Sequence, residues 1–394
     1  MSSSFSDVAL DQPMLSNVSK LGFNSMTPVQ AQSLPIIIKG QDVIVQAKTG
    51  SGKTVAFGIG LLNNLDINSF HIQSLVLCPT RELADQVAKE LRALARFTSN
   101  IKVLTLCGGA SMRDQVSSLS HSAHIIVGTP GRVIKHLDNG SLHFKGLNTL
   151  VLDEADRMLD MGFNDVITDV ISHLPKDRQT LLFSATYPDE ISHLSKSIQR
   201  EQVNIKIEND EDDSKIKQVF YEVLPNNLID SLEQLLAFYK PENAIVFCNT
   251  KLQVKDVEQD LKEQGVSALA LHGELEQYER NDVLVQFANK SCSILVATDV
   301  AARGIDIKNL GMVVKFGLPH DETTYTHRIG RTGRAGSEGL AVTLFSPQNA
   351  MKADLYDNDE RSFNNPSELK DATPHSLIAP FKTLVIEAGK KDKV

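Results

Sequence analysis

Short apolar runs that alternate with helical patterns constrain the fold of this chain more than any other feature. The runs predict strands at 42–46, 74–78, 102–107, 124–128, 149–153 and 179–183, and again at 244–248, 267–271, 291–298, 310–316 and 339–345. Strands that alternate with helices are typical of α/β proteins built on parallel sheets. Ligands of such sheets bind at the carboxyl ends of the strands. Polar motifs that directly follow these strands are therefore expected to converge in space.

A polar, acidic run separates the two series of predicted strands. Residues 208–214 read Glu-Asn-Asp-Glu-Asp-Asp-Ser. This composition is typical of a flexible linker, and an exposed helix start is the alternative. We therefore predict an N-terminal domain over 1–208, a linker over 209–217, a C-terminal domain over 218–350 and a tail over 351–394. Within the tail, 383–387 is either a short strand or a linker segment.

A glycine-containing segment follows the first predicted strand and opens a helix. It consists of Ala47, Lys48, Thr49, Gly50, Ser51, Gly52, Lys53 and Thr54. Gly50 and Gly52 permit a tight turn that brings backbone N–H groups to phosphate oxygens. The ammonium group of Lys53 suits the β- and γ-phosphates, and the hydroxyl of Thr54 can bind Mg²⁺. The usual motif begins with Gly where this chain has Ala47, and a plain connecting turn is the alternative.

A cluster of carboxylates follows another apolar strand. The run 150–152 ends directly in Asp153-Glu154-Ala155-Asp156. Asp153 can hold Mg²⁺ largely through water, while Glu154 can orient and deprotonate an attacking water. The alternative is a solvated helix N-terminus, which does not explain why these carboxylates come after a fully apolar strand. Together with the glycine-containing segment, the cluster indicates hydrolysis of a nucleoside triphosphate.

Further segments match the motifs of a known family in order. They are 22–23, 27–30, 79–83, 108–109, 129–132, 184–186, 246–250, 277–280, 297–306 and 327–334. On these motifs the chain resembles the DEAD-box ATP-dependent RNA helicases, from about residue 5 to 346. The resemblance implies two RecA-like parallel-sheet domains joined by a short flexible linker. It also implies ATP and Mg²⁺ as cofactors and RNA as the partner.

The resemblance assigns the adenine site to residues near the N-terminus. These are Phe23, Thr27 and Gln30. The Gln30 amide can both donate to and accept from the adenine edge, and Phe23 can stack on the ring. The motif therefore implies ATP rather than GTP.

The resemblance also assigns residues to RNA and to coupling. The implied RNA contacts are Pro79, Thr80, Arg81, Gly108, Gly109, Thr129, Pro130 and Arg132 in the first half, and Arg280, Thr298 and Asp299 in the second. Such contacts hold the phosphates and position the RNA without reading its bases. Ser184 and Thr186 are implied to sense Asp156 and to transmit the nucleotide state.

The second half is implied to complete the ATP site. Gly304 and Asp306 contact the ribose and phosphates, and His327 helps to link the nucleotide to the second half. Arg331 and Arg334 act as arginine fingers that stabilise transition-state charge. The alternative for both arginines is generic surface charge. Glycines at 330, 333 and 336 disfavour this alternative because they leave the backbone free to approach a ligand.

Within the family the chain is similar to a bacterial branch, the DbpA-like helicases. The stretches that match this branch are 46–57, 75–87, 104–109 and 153–163. This resemblance implies a role with ribosomal RNA in assembly of the large subunit. The branch normally adds a C-terminal RNA-recognition domain, and the chain is expected to be the helicase core without it.

Composition bounds the partners and the compartment. The chain has 40 Lys and Arg against 49 Asp and Glu, a net charge of −9, so RNA binding predicts a local basic cleft on an acidic body. Four single cysteines without Cys-x-x-Cys spacing disfavour zinc and disulfides. The polar N-terminus and short apolar runs predict a cytoplasmic protein without a membrane partner. We also expect a monomer.

RNA unwinding has two alternatives. The first is a DNA translocase, which the adenine motif around Gln30 and the Asp-Glu-Ala-Asp string disfavour. The second is an ATP-gated RNA clamp or scaffold with little unwinding. Nothing in the sequence excludes the clamp, because clamping and unwinding use the same closed state.

Overall fold

The structure is a computed structural model that describes residues 4–47, 50–207, 216–302, 310–319, 322–333, 339–346 and 382–386. The chain divides into two compact units that meet in sequence near Glu208 and Asn209. Each unit is built on one seven-stranded sheet. The division lies within the acidic run at 208–214, where the sequence predicts a linker.

The first sheet is entirely parallel, with the order β3-β4-β2-β5-β6-β1-β7. Its strands are β1 (Val43–Gln46), β2 (Ser74–Leu77), β3 (Val103–Leu106), β4 (Ile125–Gly128), β5 (Thr149–Leu152), β6 (Gln179–Ser184) and β7 (Val203–Lys206). The strands β2, β4, β5 and β6 are buried along their whole length. Continuous burial is expected for the interior of a parallel sheet covered on both faces.

Nine α-helices connect or flank these strands in the described residues of the first unit. They are α1 (Gln12–Lys20), α2 (Pro28–Ile38), α3 (Lys53–Asn63), α4 (Arg81–Leu94), α5 (Met112–Leu119), α6 (Pro130–Asp138), α7 (Ala155–Asp160), α8 (Asn164–Ser172) and α9 (Asp189–Ile198). Two apolar clusters flank the sheet: one includes Phe57 and Phe183, and the other includes Leu75 and Leu150.

The second sheet has the order β10-β11-β9-β12-β13-β8-β14. Its strands are β8 (Ile216–Glu222), β9 (Ala244–Cys248), β10 (Ala268–Leu271), β11 (Ile294–Thr298), β12 (Met312–Phe316), β13 (Gly339–Phe345) and β14 (Lys382–Ile386). The helices of this unit are α10 (Leu228–Tyr239), α11 (Lys251–Glu263), α12 (Gln277–Ala288), α13 (Asp299–Ala302) and α14 (Glu322–Ile329). Among the described residues of this unit, all strand pairings are parallel except that of β14 with β8.

The two sheets repeat one topology. If β8 to β13 are renumbered from one, their spatial order equals that of β1 to β6 in the first sheet. Only the seventh strands differ, because β7 runs parallel to β1 whereas β14 runs antiparallel to β8. The expectation of two parallel-sheet α/β domains is therefore confirmed.

Three strands differ from the sequence-based expectation. Strands β7 and β8 were not predicted, and β8 begins at Ile216, one residue before the end of the predicted linker at 209–217. Strand β14 spans Lys382–Ile386, close to the tail segment predicted as either strand or linker. Its pairing with β8 adds part of the tail to the second sheet.

Candidate functional site

The polar motifs of the first unit lie at one edge of its sheet. Each of the six strands β1 to β6 is followed directly by one of the predicted motifs. All six strands are parallel, so these motifs share the carboxyl-terminal edge. The convergence expected from the sequence is present in the structure.

Two residues with positive φ shape the glycine-containing segment. Gly50 has a φ of 86° and Gly52 a φ of 92°. A Cβ added to Gly52 would come within 2.5 Å of Gln30 Nε2. Any side chain at this position would therefore disturb both the turn and its neighbour. Lys48 and Thr49 lie outside the described residues.

Lys53 begins α3 and is buried at the base of this segment. Its Nζ donates a hydrogen bond of 2.7 Å to the carbonyl oxygen of Ala47. The N–H of Ala47 in turn donates to the carbonyl oxygen of Ser184, at 2.9 Å. The segment is thereby tied to the motif that follows β6. Thr54, the predicted metal ligand, is the next residue of α3 and is half-buried.

The predicted adenine residues contact the same segment. Thr27 caps α2, and its backbone N–H donates to Gln30 Oε1 at 2.9 Å. Gln30 Nε2 donates to the carbonyl oxygen of Gly52 at 3.2 Å. Phe23 packs half-buried against the core of the first unit. The adenine motif and the phosphate motif are thus one connected structure.

Asp153 is a buried carboxylate at the end of β5. Its side-chain Oδ1 has no hydrogen-bond partner among the described residues. Burial raises the pKa of Asp153 to about 7, and the nearby charge of Lys53 acts in the opposite direction. A buried carboxylate oxygen without a partner suits a hard divalent cation, whose ligands are oxygen atoms. Together with the Thr54 hydroxyl, Asp153 therefore fits the predicted Mg²⁺ site.

Glu154 has an unusual backbone conformation. Its φ of 53° and ψ of 52° are left-handed, which costs about 1–3 kcal/mol in a residue other than glycine. The side chain of Glu154 is almost wholly buried and accepts a hydrogen bond of 2.6 Å from Arg157 Nη1. Strain of this kind is often retained at functional sites because the backbone aims a side chain. The sequence-based prediction did not include Arg157.

Asp156 connects β5 to the motif after β6. Its Oδ2 accepts hydrogen bonds from Ala185 N (3.1 Å), Thr186 N (2.8 Å) and Thr186 Oγ1 (2.9 Å). Ser184 Oγ accepts from the backbone N–H of Asp156 at 3.3 Å. The structure thus brings together the three residues to which the sequence assigned coupling.

Asp156→Asn is expected to weaken this network. An amide has one acceptor oxygen, so it cannot accept from Arg157 N, now on Oδ1, and from the donors of Ala185 and Thr186, now on Oδ2, at the same time. Each lost bond costs about 1–3 kcal/mol. Amide hydrogen exchange should accelerate at Arg157, or at Ala185 and Thr186. Asp165→Asn, at an exposed position of α8, serves as the control. Unchanged exchange at all three amides would show that the network does not hold the motif.

A second hydrogen-bond cluster joins the predicted RNA motifs of the first unit. Gln115 donates to the carbonyl oxygen of Cys107 at 2.9 Å and accepts from Arg132 Nη1 at 3.1 Å. The same Gln115 oxygen lies 2.9 Å from His136 Nε2. Because an amide oxygen only accepts, this ring nitrogen carries the proton. Gln115 and His136 were missed because no local motif marks them.

The remaining RNA residues of the first unit lie at helix starts and turns. Thr80 caps α4 by accepting from Leu83 N at 3.3 Å, and Thr129 occupies the N-cap position of α6. The Arg81 guanidinium lies over Gly108, where an added Cβ would approach its Nη2 to 3.0 Å. Pro79 precedes this cap, Pro130 begins α6, and Gly109 has a positive φ of 81°.

In the second unit, Arg328 connects three motifs. It is itself buried and forms an ion pair with the half-buried Asp299, in which Nε donates to Oδ1 at 2.7 Å and Nη2 to Oδ2 at 2.5 Å. Nη2 also donates to Asn249 Oδ1 at 2.8 Å, and the guanidinium lies over the Phe247 ring. Arg328 lies within the motif at 327–334, and no role was predicted for it.

The ion pair changes the expectation for Asp299. Its carboxylate is engaged by Arg328, and a carboxylate repels phosphate, so only its backbone N–H at the start of α13 suits an RNA phosphate. Thr298 Oγ1 accepts from Ala301 N at 3.4 Å, and Arg280 Nη2 donates to the carbonyl oxygen of Ala301 at 3.2 Å. These predicted RNA residues therefore meet at the carboxyl end of β11.

Four residues of the second unit that were predicted to contact or link to ATP lie wholly or partly outside the described residues. Gly304, Asp306 and Arg334 lie outside the described residues. His327 belongs to α14, and its side chain is not among the described parts. Arg331 follows this helix and is buried.

Lys315 has a buried side-chain amine beneath α14. Its side chain in β12 is fully buried, and Nζ has no hydrogen-bond partner among the described residues. The amine lies 4.0 Å from the centre of the Tyr325 ring and 5.9 Å from that of Phe220. Burial lowers the pKa of Lys315 well below its usual value, and the charge of Arg328 lowers it further.

Lys315→Met is expected to stabilise the second unit by about 1–3 kcal/mol, because it removes an unsatisfied buried polar group. In the native chain the unfolded amine binds its proton more tightly than the folded one, so stability rises with pH between the lowered pKa of the folded state and the usual lysine pKa. The variant should lose this rise. Guanidinium unfolding monitored by hydrogen exchange in 312–316, at pH 7 and pH 9, measures both effects.

Lys217→Met, on an exposed position of β8, is the matched control and should change neither stability nor its pH dependence. A destabilised Lys315→Met variant would contradict the expectation, since it would mean that the amine contributes favourably to the fold.

Two general features complete the description of the chain. All four cysteines are buried and free, as expected for small apolar core residues. Within the described residues, no helix combines the length and apolar character needed to cross a bilayer.

Comparison with known proteins finds matches to both units of the chain. The DEAD/DEAH box helicase family matches residues 27–194, and the helicase conserved C-terminal domain matches residues 227–336. The chain is 52% identical over 386 residues to the ATP-dependent RNA helicase DbpA of Escherichia coli K12, covering 98% of this chain and 84% of that protein. It is 42% identical over 345 residues to the DEAD-box helicase CshA of Geobacillus kaustophilus, covering 87% and 74% of the two chains.

A solved structure is similar in fold. Dbp5 of S. cerevisiae, bound to RNA and ADP BeF3, matches with a TM-score of 0.83 and 30% identity, over 91% of this chain and 94% of that one. These matches establish the RecA-like character of the two sheets. The chain belongs to the DEAD-box family of ATP-dependent RNA helicases, in its DbpA-like branch, and is an enzyme of that class.

Proposed function

We propose that the chain is an RNA-dependent ATPase that separates short RNA duplexes locally, with ribosomal RNA of the large subunit as its substrate. The observation that carries the enzymatic part is the convergence of Lys53, Asp153, Glu154 and Asp156 at one sheet edge. The ribosomal RNA part rests on similarity to the DbpA-like branch.

In the proposed mechanism the first unit binds ATP. Phe23 and Gln30 hold the adenine, and the backbone N–H groups of 50–54 hold the phosphates with Lys53. Lys53 exchanges its present bond to Ala47 for phosphate oxygens when ATP binds. Asp153 and Thr54 would hold Mg²⁺, largely through water, and the bound ion would supply charge neutralisation at the phosphates.

Glu154 then acts as general base on the attacking water. The water oxygen forms a bond to the γ-phosphorus while the bond from this phosphorus to the bridging oxygen of ADP breaks. The water proton passes to the Glu154 carboxylate, and the electron pair of the broken bond leaves with ADP. Arg331 and Arg334 stabilise the charge that develops on the transferred group, Gly304 and Asp306 contact the ribose and phosphates, and His327 helps to link the nucleotide to the second unit.

Coupling to RNA is proposed to run through Asp156. The bonds from Asp156 to Ser184 and Thr186 connect the catalytic strand β5 to the strand beside the phosphate segment. RNA phosphates are held by the residues after β2, β3 and β4 and by those after β10 and β11. Discrimination against DNA comes from the 2′-hydroxyl groups and the strand geometry.

One experiment separates unwinding from clamping. A short RNA duplex is mixed with the full chain and ATP, and strand release and RNA retention are measured in the same samples. The proposal predicts release that requires ATP hydrolysis. Retention without release would favour the ATP-gated clamp or scaffold instead.

The cellular part of the proposal is tested separately. We propose that the protein is cytoplasmic, which its free cysteines and its bacterial helicase relatives support, and that it acts as a monomer. Ultraviolet crosslinking in cells followed by sequencing should enrich large-subunit ribosomal RNA. Enrichment of messenger RNA alone would contradict the proposed substrate.

A further inference from the structure

Arg157 contacts the general base directly. Arg157 Nη1 lies 2.6 Å from Glu154 Oε2, and the two side chains are 3% and 6% exposed. This ion pair is therefore shielded from solvent, unlike surface pairs that contribute little. A planar guanidinium fixes the direction of a carboxylate as well as its charge.

Arg157 also contacts the coupling residue. Its backbone N–H donates to Asp156 Oδ1 at 3.0 Å, while Asp156 Oδ2 accepts from Thr186 and Ala185. A continuous series of hydrogen bonds thus runs from the motif after β6 through Asp156 and Arg157 to Glu154. Contiguous contacts of this kind can carry coupling between two sites, but only a coupling measurement demonstrates it.

The local charge explains why an arginine suits this position. Asp153, Glu154 and Asp156 place three buried carboxylates within four residues. The positive charge of Lys53 favours the ionised form of Asp153. The Asp156 carboxylate accepts hydrogen bonds from the backbone and hydroxyl groups of Thr186. Arg157 supplies the cation next to Glu154. The left-handed backbone of Glu154 limits the directions in which its carboxylate can point, and Arg157 selects among them.

We propose that Arg157 is a positioning residue for ATP hydrolysis. Its guanidinium holds the Glu154 carboxylate in the direction from which that carboxylate meets the attacking water. Its link to Asp156 makes this direction depend on the motif at 184–186. The inference rests on the proposed function, in which Glu154 is the general base; Arg157 itself touches neither ATP nor water in the reaction.

Arg157→Met tests the proposal in the full chain. Misplacing a catalytic group by about 1 Å can lower turnover about 10²-fold, so kcat for RNA-stimulated ATP hydrolysis should fall by about that factor. KM for ATP and the affinity for single-stranded RNA should change little. Arg157→Lys keeps the charge without the planar fork and should recover part of kcat.

Two further variants separate positioning from folding. On the Glu154→Gln background, Arg157→Met should lower kcat no further, because the group it positions is already lost. Arg157→Met and Thr186→Val should be non-additive in kcat, since they lie on the same series of contacts. Arg178→Met, at the opposite edge of the sheet, is the control and should leave kcat unchanged.

The outcomes distinguish the inference from the proposed function. If Glu154→Gln lowers kcat and Arg157→Met does not, the positioning role is wrong and the general base stands. If both variants turn over ATP like the native chain, the proposed base is wrong and the inference falls with it. Equal losses in kcat and ATP affinity for Arg157→Met would show a structural role instead.

Discussion

Glu154→Gln lowers kcat for ATP about 10²–10⁴-fold while the chain still binds ATP, if the assignment of the general base is correct. Glutamine matches glutamate in size and can keep a hydrogen bond with Arg157, so the fold around α7 should persist. An amide cannot accept the water proton, and the chemical step therefore slows. Single-turnover hydrolysis with saturating RNA measures this step separately from product release.

The control for this variant is Glu190→Gln, which alters an exposed carboxylate on α9. It should turn over ATP at the native rate. Native turnover in Glu154→Gln would refute the role given to this residue, and loss of ATP binding would indicate that the carboxylate supports the nucleotide rather than water.

Arg334→Ala produces the other large effect that we expect. Arginine fingers contribute about 10³–10⁵ in rate in related phosphoryl transfers, because they stabilise charge that appears only in the transition state. We therefore expect kcat to fall within that range and the dissociation constant for ATP to change far less. Steady-state hydrolysis with RNA, together with equilibrium ATP binding, gives the two quantities.

Arg334→Lys should recover only part of the loss, since an ammonium group lacks the bidentate geometry of a guanidinium. Arg113→Ala, on an exposed position of α5, removes a positive charge elsewhere and should have no effect. An Arg334→Ala variant that loses ATP affinity and kcat in equal measure would contradict the arginine-finger role.

Much of the fold followed from local patterns in the sequence. The parallel-sheet strands are apolar on both faces and short, so continuous apolar runs located them; β9 and β13 match the predicted bounds at 244–248 and 339–345. Strand β7 was missed because it lies at the edge of its sheet and alternates exposed positions with less exposed ones. Strand β14 depends on pairing with β8, far away in sequence, which no local pattern encodes.

The site was predictable to the extent that its chemistry is local in sequence. Local sequence determines the arrangement of two segments, the glycine-containing segment with Gly50, Gly52 and Lys53 and the run at 153–156. The positions of Gln115, Arg157 and Arg328 do not, because each acts through contacts made by tertiary packing. The surroundings of the Lys315 amine could not be predicted either. The strand pattern predicts that this residue lies in a buried strand, but it does not show which side chains pack around the amine.

The central claim is that RNA binding drives ATP hydrolysis at the edge of the first sheet. The most direct test measures ATP turnover by the full chain with no nucleic acid, with single-stranded RNA, and with DNA of the same sequence. The account predicts that RNA accelerates turnover and DNA does not, and that Glu154→Gln abolishes the acceleration. Turnover that is independent of RNA, or equally stimulated by DNA, would contradict it.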